Sequence, residues 1–341
     1  MSEGIDRVRL STTIERWPLI SPFRFTGHTF TALDVLLVTL EKDGYIGRGE
    51  AVGIYYRNEQ PASMFGQIEP LRAMVERCVS RVALRDMLPP GGAKNALDCA
   101  LWDLEAKLAG RPAWQLAGLD KPRPLVTTFG CGADTPENMA SVARGYTHAR
   151  AIKIKLTGES VDADRVLAVR EARPDVWLGV DANQGFSRRF LEQLMPVLVA
   201  ARVSLIEQPF PVGEEHLLDG LDSGIPIAAD ESVESIADIR NMVGRVSVIN
   251  IKLDKCGGLT ESLGMARLAR ALGLEAMVGN MIGTSLAMAP AFLIGQLCTV
   301  VDLDGPVFLQ NDRAITIDYS DGLMTCPETL WGGTGSWGDG Q

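Results

Sequence analysis

Residues 151–209 read AIKIKLTGESVDADRVLAVREARPDVWLGVDANQGFSRRFLEQLMPVLVAARVSLIEQP. Three short apolar runs, Ala151–Lys155, Trp177–Asp181 and Ser204–Glu207, each end on charged or polar residues. Between the first two lies a helix-like stretch, Val161–Ala172. Strands alternating with helices at this spacing imply parallel strands joined by crossover helices. The same rhythm extends in both directions. Leu125–Phe129 precedes it, and Ile225–Ala229, Val246–Lys252, Glu275–Val278 and Val300–Leu303 follow, with a second helix-like stretch at Leu259–Leu272. Eight units over roughly 180 residues fit an α/β barrel of the TIM type. A doubly wound open sheet is the alternative. It would announce a glycine-rich first turn, of which Gly130-Cys131-Gly132-Ala133-Asp134 is a weak echo.

The texture differs on either side. Upstream, Val35–Leu40 reads as a strand, Lys42-Asp43-Gly44 as a hairpin turn and Tyr45–Val52 as the return strand. Leu97, Ala100 or Leu101, Leu104 and Leu108 then mark one face of a helix that Gly110-Arg111-Pro112 stops. This is an α+β region, and Lys121-Pro122-Arg123-Pro124 reads as its boundary. After Pro306 the pattern changes again, with Ala314–Ile317 as a short strand. A Gly/Ser/Thr-rich tail follows, in which two tryptophans imply partial docking on the body. The expected division is residues 1–122, 123–306 and 307–341.

A chain of 341 residues suits one large barrel or two domains. Its net charge of −10 without a Lys/Arg cluster argues against nucleic acid. No apolar run is long enough for a membrane span, and no secretory segment opens the chain, so a cytoplasmic protein is expected. The six cysteines contain no C-x-x-C and read as free thiols in a reducing compartment. With only three histidines, any bound metal must be held mainly by carboxylates.

Barrel active sites lie at the C-terminal ends of the strands. Strand two ends Lys153-Ile154-Lys155, strand three Asp181-Ala182-Asn183, strand four Glu207-Gln208-Pro209, strand five Asp230-Glu231-Ser232, strand six Lys252-Leu253-Asp254-Lys255 and strand eight Asp302-Leu303-Asp304. Asp181, Glu207 and Asp230 come from three neighbouring strands at one level. Singly, each could be a helix cap or an ion-pair partner. Together they would repel without a cation, and hard oxygen ligands select Mg2+, with Mn2+ also possible. Strands two and six face each other across an eight-strand mouth, so Lys155 and Lys252 approach one bound molecule from opposite sides, as an inversion at carbon requires. Lys153 and a nearby cation would lower the pKa of Lys155. Lys255 reads as a surface or supporting charge. Asp302 and Asp304, two residues apart on one strand face, call for a cationic group on the ligand, or else form a polar cap at the rim.

These strand ends, with Asn95–Leu104, Asn250–Gly258 and Asp302–Pro306, resemble the enolase superfamily in its muconate-lactonizing subgroup, and within it the dipeptide epimerases. The resemblance spans nearly the whole chain. It implies a (β/α)7β modified TIM barrel with an N-terminal α+β capping domain completed by the C-terminal tail. It further implies Lys155 and Lys252 as the acid/base pair and Asp181, Glu207 and Asp230 as Mg2+ ligands. Lys153 and Asn280 would contact the substrate, and Asp302 and Asp304 would hold its α-ammonium. The implied reaction is epimerisation of a dipeptide at the α-carbon of its C-terminal residue, in a cytoplasmic homo-oligomer with a small-molecule partner and neither nucleic acid nor membrane. N-succinylamino acid racemase, o-succinylbenzoate synthase and muconate cycloisomerase chemistry are the alternatives within the superfamily. A barrel that binds a metabolite without catalysis is the alternative outside it. Relatives specific for glutamate carry an arginine in the loop after a Pro-Phe pair. Here Pro22-Phe23-Arg24-Phe25-Thr26-Gly27-His28 puts Gly27 at that place, and a threonine common after the first barrel strand is replaced near Gly130. Arg24, His28, Tyr55, Tyr56 and Arg57 are therefore candidates for the specificity pocket.

Overall fold

The computed structural model describes residues 7–25, 28–77 and 79–335. Eight parallel strands lie side by side in chain order: Thr128–Cys131, Ala151–Lys155, Trp177–Asp181, Leu205–Glu207, Ile227–Ala229, Val248–Ile251, Glu275–Val278 and Val300–Val301. We number them one to eight. Side chains join the first to the eighth. Thr127 Oγ1 accepts from Leu303 N at 2.9 Å, and Thr128 Oγ1 donates to Asp302.

Strand alternation then decides what faces the barrel axis. Ile152, Ile154, Leu178, Val180, Ile206, Ile249, Ile251 and Val278 point outward into the main core beneath the helices. The alternate positions Leu205, Ala228, Val248 and Met277, with Trp177 and Val300, form a separate small apolar cluster. Two residues further along these strands the same inward row becomes Glu207, Asp230, Asn250 and Asp302, and four beyond Trp177 it reaches Asp181. The interior is thus plugged by hydrocarbon at one end and charged at the other.

The barrel departs from the sequence expectation in three places. The first strand is Thr128–Cys131. Leu125–Val126, its expected start, instead pairs antiparallel with Leu323–Met324. The crossovers after strands four and five contain only 3-10 turns, Glu215–Leu218 and Ile239–Met242, where the other crossovers carry full helices. Ala314–Ile317 forms no strand.

The cap is a three-stranded antiparallel sheet, Arg9–Phe25, His28–Lys42 and Tyr45–Ala51, packed on the helix Gly92–Ala109. The Asp43-Gly44 turn forms as expected, with both residues at positive φ between paired Lys42 and Tyr45. The helix ends at Gly110 in the left-handed region. It is buried on nearly every side between sheet and barrel rather than on one face. Leu108, the last residue of the expected apolar stripe, is 38% exposed. Gly47 and Gly49 permit this close approach: a Cβ on Gly49 would stand 2.0 Å from Ala96 O. The C-terminal stretch returns to the cap. Trp331 is buried and its Nε1 donates to Arg48 O at 2.9 Å. Trp337 lies outside the described residues.

Candidate active site

A cavity of about 540 Å³ opens where the barrel mouth meets the cap, and Lys153, Lys155, Lys252, Asn280, Asp302 and Asp304 all line it. Asp181, Glu207 and Asp230 sit directly behind, each at most 2% exposed. Asp181 and Glu207 are register partners at the ends of strands three and four. Asp230 follows strand five by one residue.

Each of these carboxylates is held by an ammonium group. Lys155 Nζ stands 2.5 Å from Asp181 Oδ2, and Lys252 Nζ stands 2.7 Å from Asp230 Oδ2. Lys153 reaches further, to Asp302 Oδ2 at 2.5 Å and Glu207 Oε2 at 2.9 Å. It thereby bridges strand eight to strand four. Asn280 donates to Asp302 O at 2.5 Å.

The electrostatics follow from this packing. Burial, then repulsion from Asp181, pushes Glu207 up to about 7. Burial works the same way on Asp230, but Lys252 and Lys255 outweigh it and hold its carboxyl well below the usual range. Burial would discharge Lys153 and Lys252. The surrounding carboxylates overcome it and raise both, Asp302 foremost for Lys153 and Asp230 foremost for Lys252. Asp302 is lowered because Lys153 and Thr128 outweigh its desolvation. Asp304 is pushed up to about 7 by burial and by Asp302, although Gly130 N donates to its Oδ2 at 2.6 Å.

Further residues support these carboxylates, with Lys255 taking the supporting one of its two expected roles and Asn250 and Gln208 given no role by the strand-end reading. Lys255, expected as a surface or supporting charge, is 1% exposed and donates to Asp230 Oδ1 at 2.6 Å and Asp230 O at 2.5 Å. Asn250 donates to Glu207 Oε1 at 2.7 Å. Gln208, at φ 35°, accepts from Asp230 N at 2.8 Å and so fixes the turn after strand five from the turn after strand four. Strand alternation could have found Asn250, because it shares the inward row with Lys252. The left-handed backbone of Gln208 had no signal in the sequence.

The three carboxylates suit a hard cation by chemistry: only oxygens, three strands, and mutual repulsion that shows in Glu207. Nearby, Glu231 Oε2 and Asn183 Oδ1 are buried without a hydrogen-bond partner. Among the described residues, no three His, Cys, Asp or Glu side chains already stand at metal-holding spacing. The oxygens are turned to lysines instead.

The wall opposite the charges is aromatic and apolar, with Phe23, Phe30 and Tyr55 from the cap, Met281 and Ile282 from the loop after strand seven, and Phe308 from the turn after strand eight among its lining. Of the specificity candidates, Tyr55 lines the cavity. Tyr56 and Arg57 turn to Glu234, Tyr56 OH at 3.4 Å and Arg57 as an ion pair. Thr26 and Gly27, and the side chains of Arg24 and His28, lie outside the described residues. At Gly130 an added Cβ would meet Asp304 Oδ2 at 3.1 Å and the Phe308 ring at 3.3 Å, so a side chain there would crowd both.

Residues 136–332 match the enolase C-terminal domain-like model, and residues 7–118 match the N-terminal domain model of mandelate racemase and muconate lactonizing enzyme. The chain belongs to the enolase superfamily. Its superfamily relatives include L-Ala-D/L-Glu epimerase of Escherichia coli K12, 36% identical over 91% of this chain and 97% of that one. N-acetyl-D-glutamate racemase of Pseudoalteromonas sp is 38% identical over 88% of this chain and 95% of that one. A crystal structure of an enolase family member from Agrobacterium tumefaciens, with homology to dipeptide epimerases and with bound sodium and L-Ala-L-Glu, superposes with a TM-score of 0.92. It is 37% identical and covers 95% of this chain and 100% of that one. The dipeptide epimerase of Methylococcus capsulatus, complexed with Mg and L-Arg-D-Lys, superposes with a TM-score of 0.89 at 27% identity, over 96% and 99% of the two chains. The named relatives are epimerases and racemases, and this enolase-superfamily chain is an isomerase of that kind. No helix among its described residues is long and apolar enough to cross a membrane.

Proposed function

We propose that the protein is a Mg2+-dependent dipeptide epimerase that inverts the α-carbon of the C-terminal residue through an enediolate. One observation carries this reading. Lys155 and Lys252, from opposed strands two and six, line the same cavity. Each reaches a buried carboxylate, Asp181 or Asp230, that would serve as a metal ligand with Glu207. A substrate seated between the lysines exposes one face of its α-carbon to each. One lysine removes the proton, and the other delivers a proton to the opposite face.

An α-proton beside a carboxylate is very weakly acidic, so charge must be stabilised as it develops. Bound Mg2+ would supply that stabilisation at the substrate carboxylate, held by Asp181, Glu207 and Asp230. Lys153 adds a fixed positive charge on the same side. Taking up the oxygens of Asp181 and Asp230 would also withdraw the partners that keep Lys155 and Lys252 occupied. Asp304 and Asp302 stand at the strand-eight rim, where they would hold the α-ammonium of a dipeptide. Asn280 fixes that strand end. The aromatic cap wall would take the side chains. Residues 1–122 and 307–341 would act as cap around a catalytic barrel at 123–306. A cytoplasmic homo-oligomer remains our reading, and the five described cysteines, all free, suit a reducing compartment.

A second reading has its own observation. Lys153 and Thr128 already engage Asp302, and Gly130 N already donates to Asp304, so the strand-eight pair is not two open anions awaiting an ammonium. An N-acylated amino acid, which has no ammonium, would fit that balance, and one relative is named for such a substrate. Incubation with Mg2+ in D2O separates the two. Pooled L,L-dipeptides gaining one mass unit support the first reading. Exchange confined to N-acylated amino acids supports the second, and exchange in neither overturns both.

A further inference from the structure

Part of the cap side of the cavity is the loop of residues 52–61, of which Val52, Gly53, Tyr55 and Glu59 line the space beside Phe23, Phe30 and Leu33 of the cap sheet. Two carboxylates, Asp254 buried and Glu59 half-buried, hold its start. Asp254 lies two residues beyond Lys252 and is 6% exposed. Its Oδ1 accepts from Val52 N at 3.1 Å and from Gly53 N at 3.3 Å. Asn95, on the central cap helix, donates to the same carboxylate. Glu59 closes the loop on itself: its Oε2 accepts from Ile54 N at 3.1 Å and from Gly92 N at 3.0 Å. Gly92 opens the helix Gly92–Ala109, whose N-cap Gly91 has no side chain to offer. Glu59 therefore does the capping from outside. The fit is close, since a Cβ on Gly92 would stand 3.1 Å from Gly53 Cα. Further along, Tyr56 and Arg57 both engage Glu234, in the turn that begins at Asp230.

These contacts with the barrel have a direction. Asp254 belongs to the short helix Leu253–Cys256 after strand six and Glu234 to the loop after strand five. Those two segments follow directly on Lys252 and Asp230. Lys155 stands on the other side of the mouth, against Asp181 of strand three. We infer that Asp254 is a positioning residue that ties the 52–61 loop to Lys252, so that the loop and one of the two proton-transfer groups are set as a single unit. The inference rests on the two-lysine reading above. It adds that the two faces of the reaction depend unequally on this loop.

The test uses the whole chain with Mg2+ in D2O and compares Asp254→Ala with Asp254→Asn. The asparagine keeps one oxygen for the two N–H groups. Start from each epimer of any dipeptide or N-acylated amino acid that the wild type turns over. With Asp254→Ala, the epimer deprotonated by Lys155 should exchange without inverting, so its exchange-to-inversion ratio rises about tenfold. For the other epimer, both rates should fall together at an unchanged ratio. Asp254→Asn should restore most of the wild-type ratio. Equal slowing of both epimers at unchanged ratios would mean a merely structural residue and overturn the inference. Lys155→Ala and Lys252→Ala run alongside. If neither gives one-sided exchange, the two-lysine reading itself has failed, which is a distinct result. A substrate-free measurement covers the remaining case. Asp254→Ala should raise amide hydrogen exchange about tenfold in peptides spanning 52–56 and 250–256 and leave 151–157 unchanged. Unaltered exchange at 250–256, or an equal rise at 151–157, would overturn it as well.

Discussion

Two regions of this molecule in which carboxylates are buried differ in the kind of partner they supply. At the seam between cap and barrel, Glu50, Asp98 and Asp103 are each at most 2% exposed. Asp98 accepts from Thr260 N at 2.9 Å and Thr260 Oγ1 at 2.5 Å. Asp103 accepts from Arg48 N at 2.8 Å, Gly332 N at 2.7 Å and Lys107 Nζ at 2.9 Å. Glu50 accepts from Thr284 N at 2.9 Å and Arg313 at 2.5 Å. These donors are mostly backbone or short hydroxyls that cannot move without unfolding something. At the barrel mouth, Asp181, Glu207, Asp230 and Asp302 are just as buried, but their partners include the ends of long lysine side chains. An ammonium on four methylenes can leave when a ligand takes its place. Burial of charge alone therefore does not mark a functional site. An exchangeable partner facing a cavity does.

The sharpest way to break this contrast is at the lysines. Lys155→Ala should abolish turnover in both directions, by at least about a thousandfold, while Mg2+ still binds. Polarimetry and calorimetric titration check the two halves, and retained turnover would sink the two-base assignment. Next in size is metal removal. Chelation should reduce activity to background, and Mg2+ should restore it. Asp230→Asn should weaken Mg2+ binding by roughly a hundredfold, read by titration calorimetry.

A seam variant should behave oppositely. Asp103→Ala strands three donors and should cost roughly 3 kcal/mol in a denaturant melt. The molecules that remain folded should keep the wild-type KM. The smallest effect concerns pH. Burial raises Asp98 to about 6, from the ordinary 3.8, against the pull of Thr260, Arg81 and Lys94. Between these two values the folded state holds a proton that the unfolded state has lost, so this stabilisation declines as pH rises through 6. Relative to Asp98→Asn, the wild type should lose on the order of 1 kcal/mol between pH 5.5 and 7.5. No loss over that interval would show that Thr260 and the nearby cations offset burial.

The mouth was largely legible in the sequence, because strand position and side-chain direction are local properties. Once Ala151–Lys155 and Trp177–Asp181 are read as strands with the same polarity, the period of two places Lys153, Lys155 and Asp181 inward. What was hidden depends on partners far along the chain. Leu125–Val126 has the composition of a barrel strand, but Leu323–Met324 draws it away. The helix Gly92–Ala109 reads as one-sided from the spacing of Leu97, Ala100 or Leu101, Leu104 and Leu108. Its alanines and Asp98 and Asp103 face a second layer that the periodicity does not register. The bridge from Lys153 to Asp302 crosses the barrel seam over 149 positions. No spacing in the sequence encodes that.

Gly332 N meets Asp103 across 229 positions, beside a Trp331 whose indole donates to Arg48 O and Cys99 O. During synthesis the cap sheet and its helix leave the ribosome long before those residues do. Until then Asp103 lacks one of its three donors and the Trp331 slot is empty. The cap therefore stays provisional while the barrel is translated and matures only after nearly the whole chain has emerged. A nascent chain of this kind depends on protection by chaperones, and a premature stop before Trp331 should mark it for degradation rather than yield a weaker enzyme.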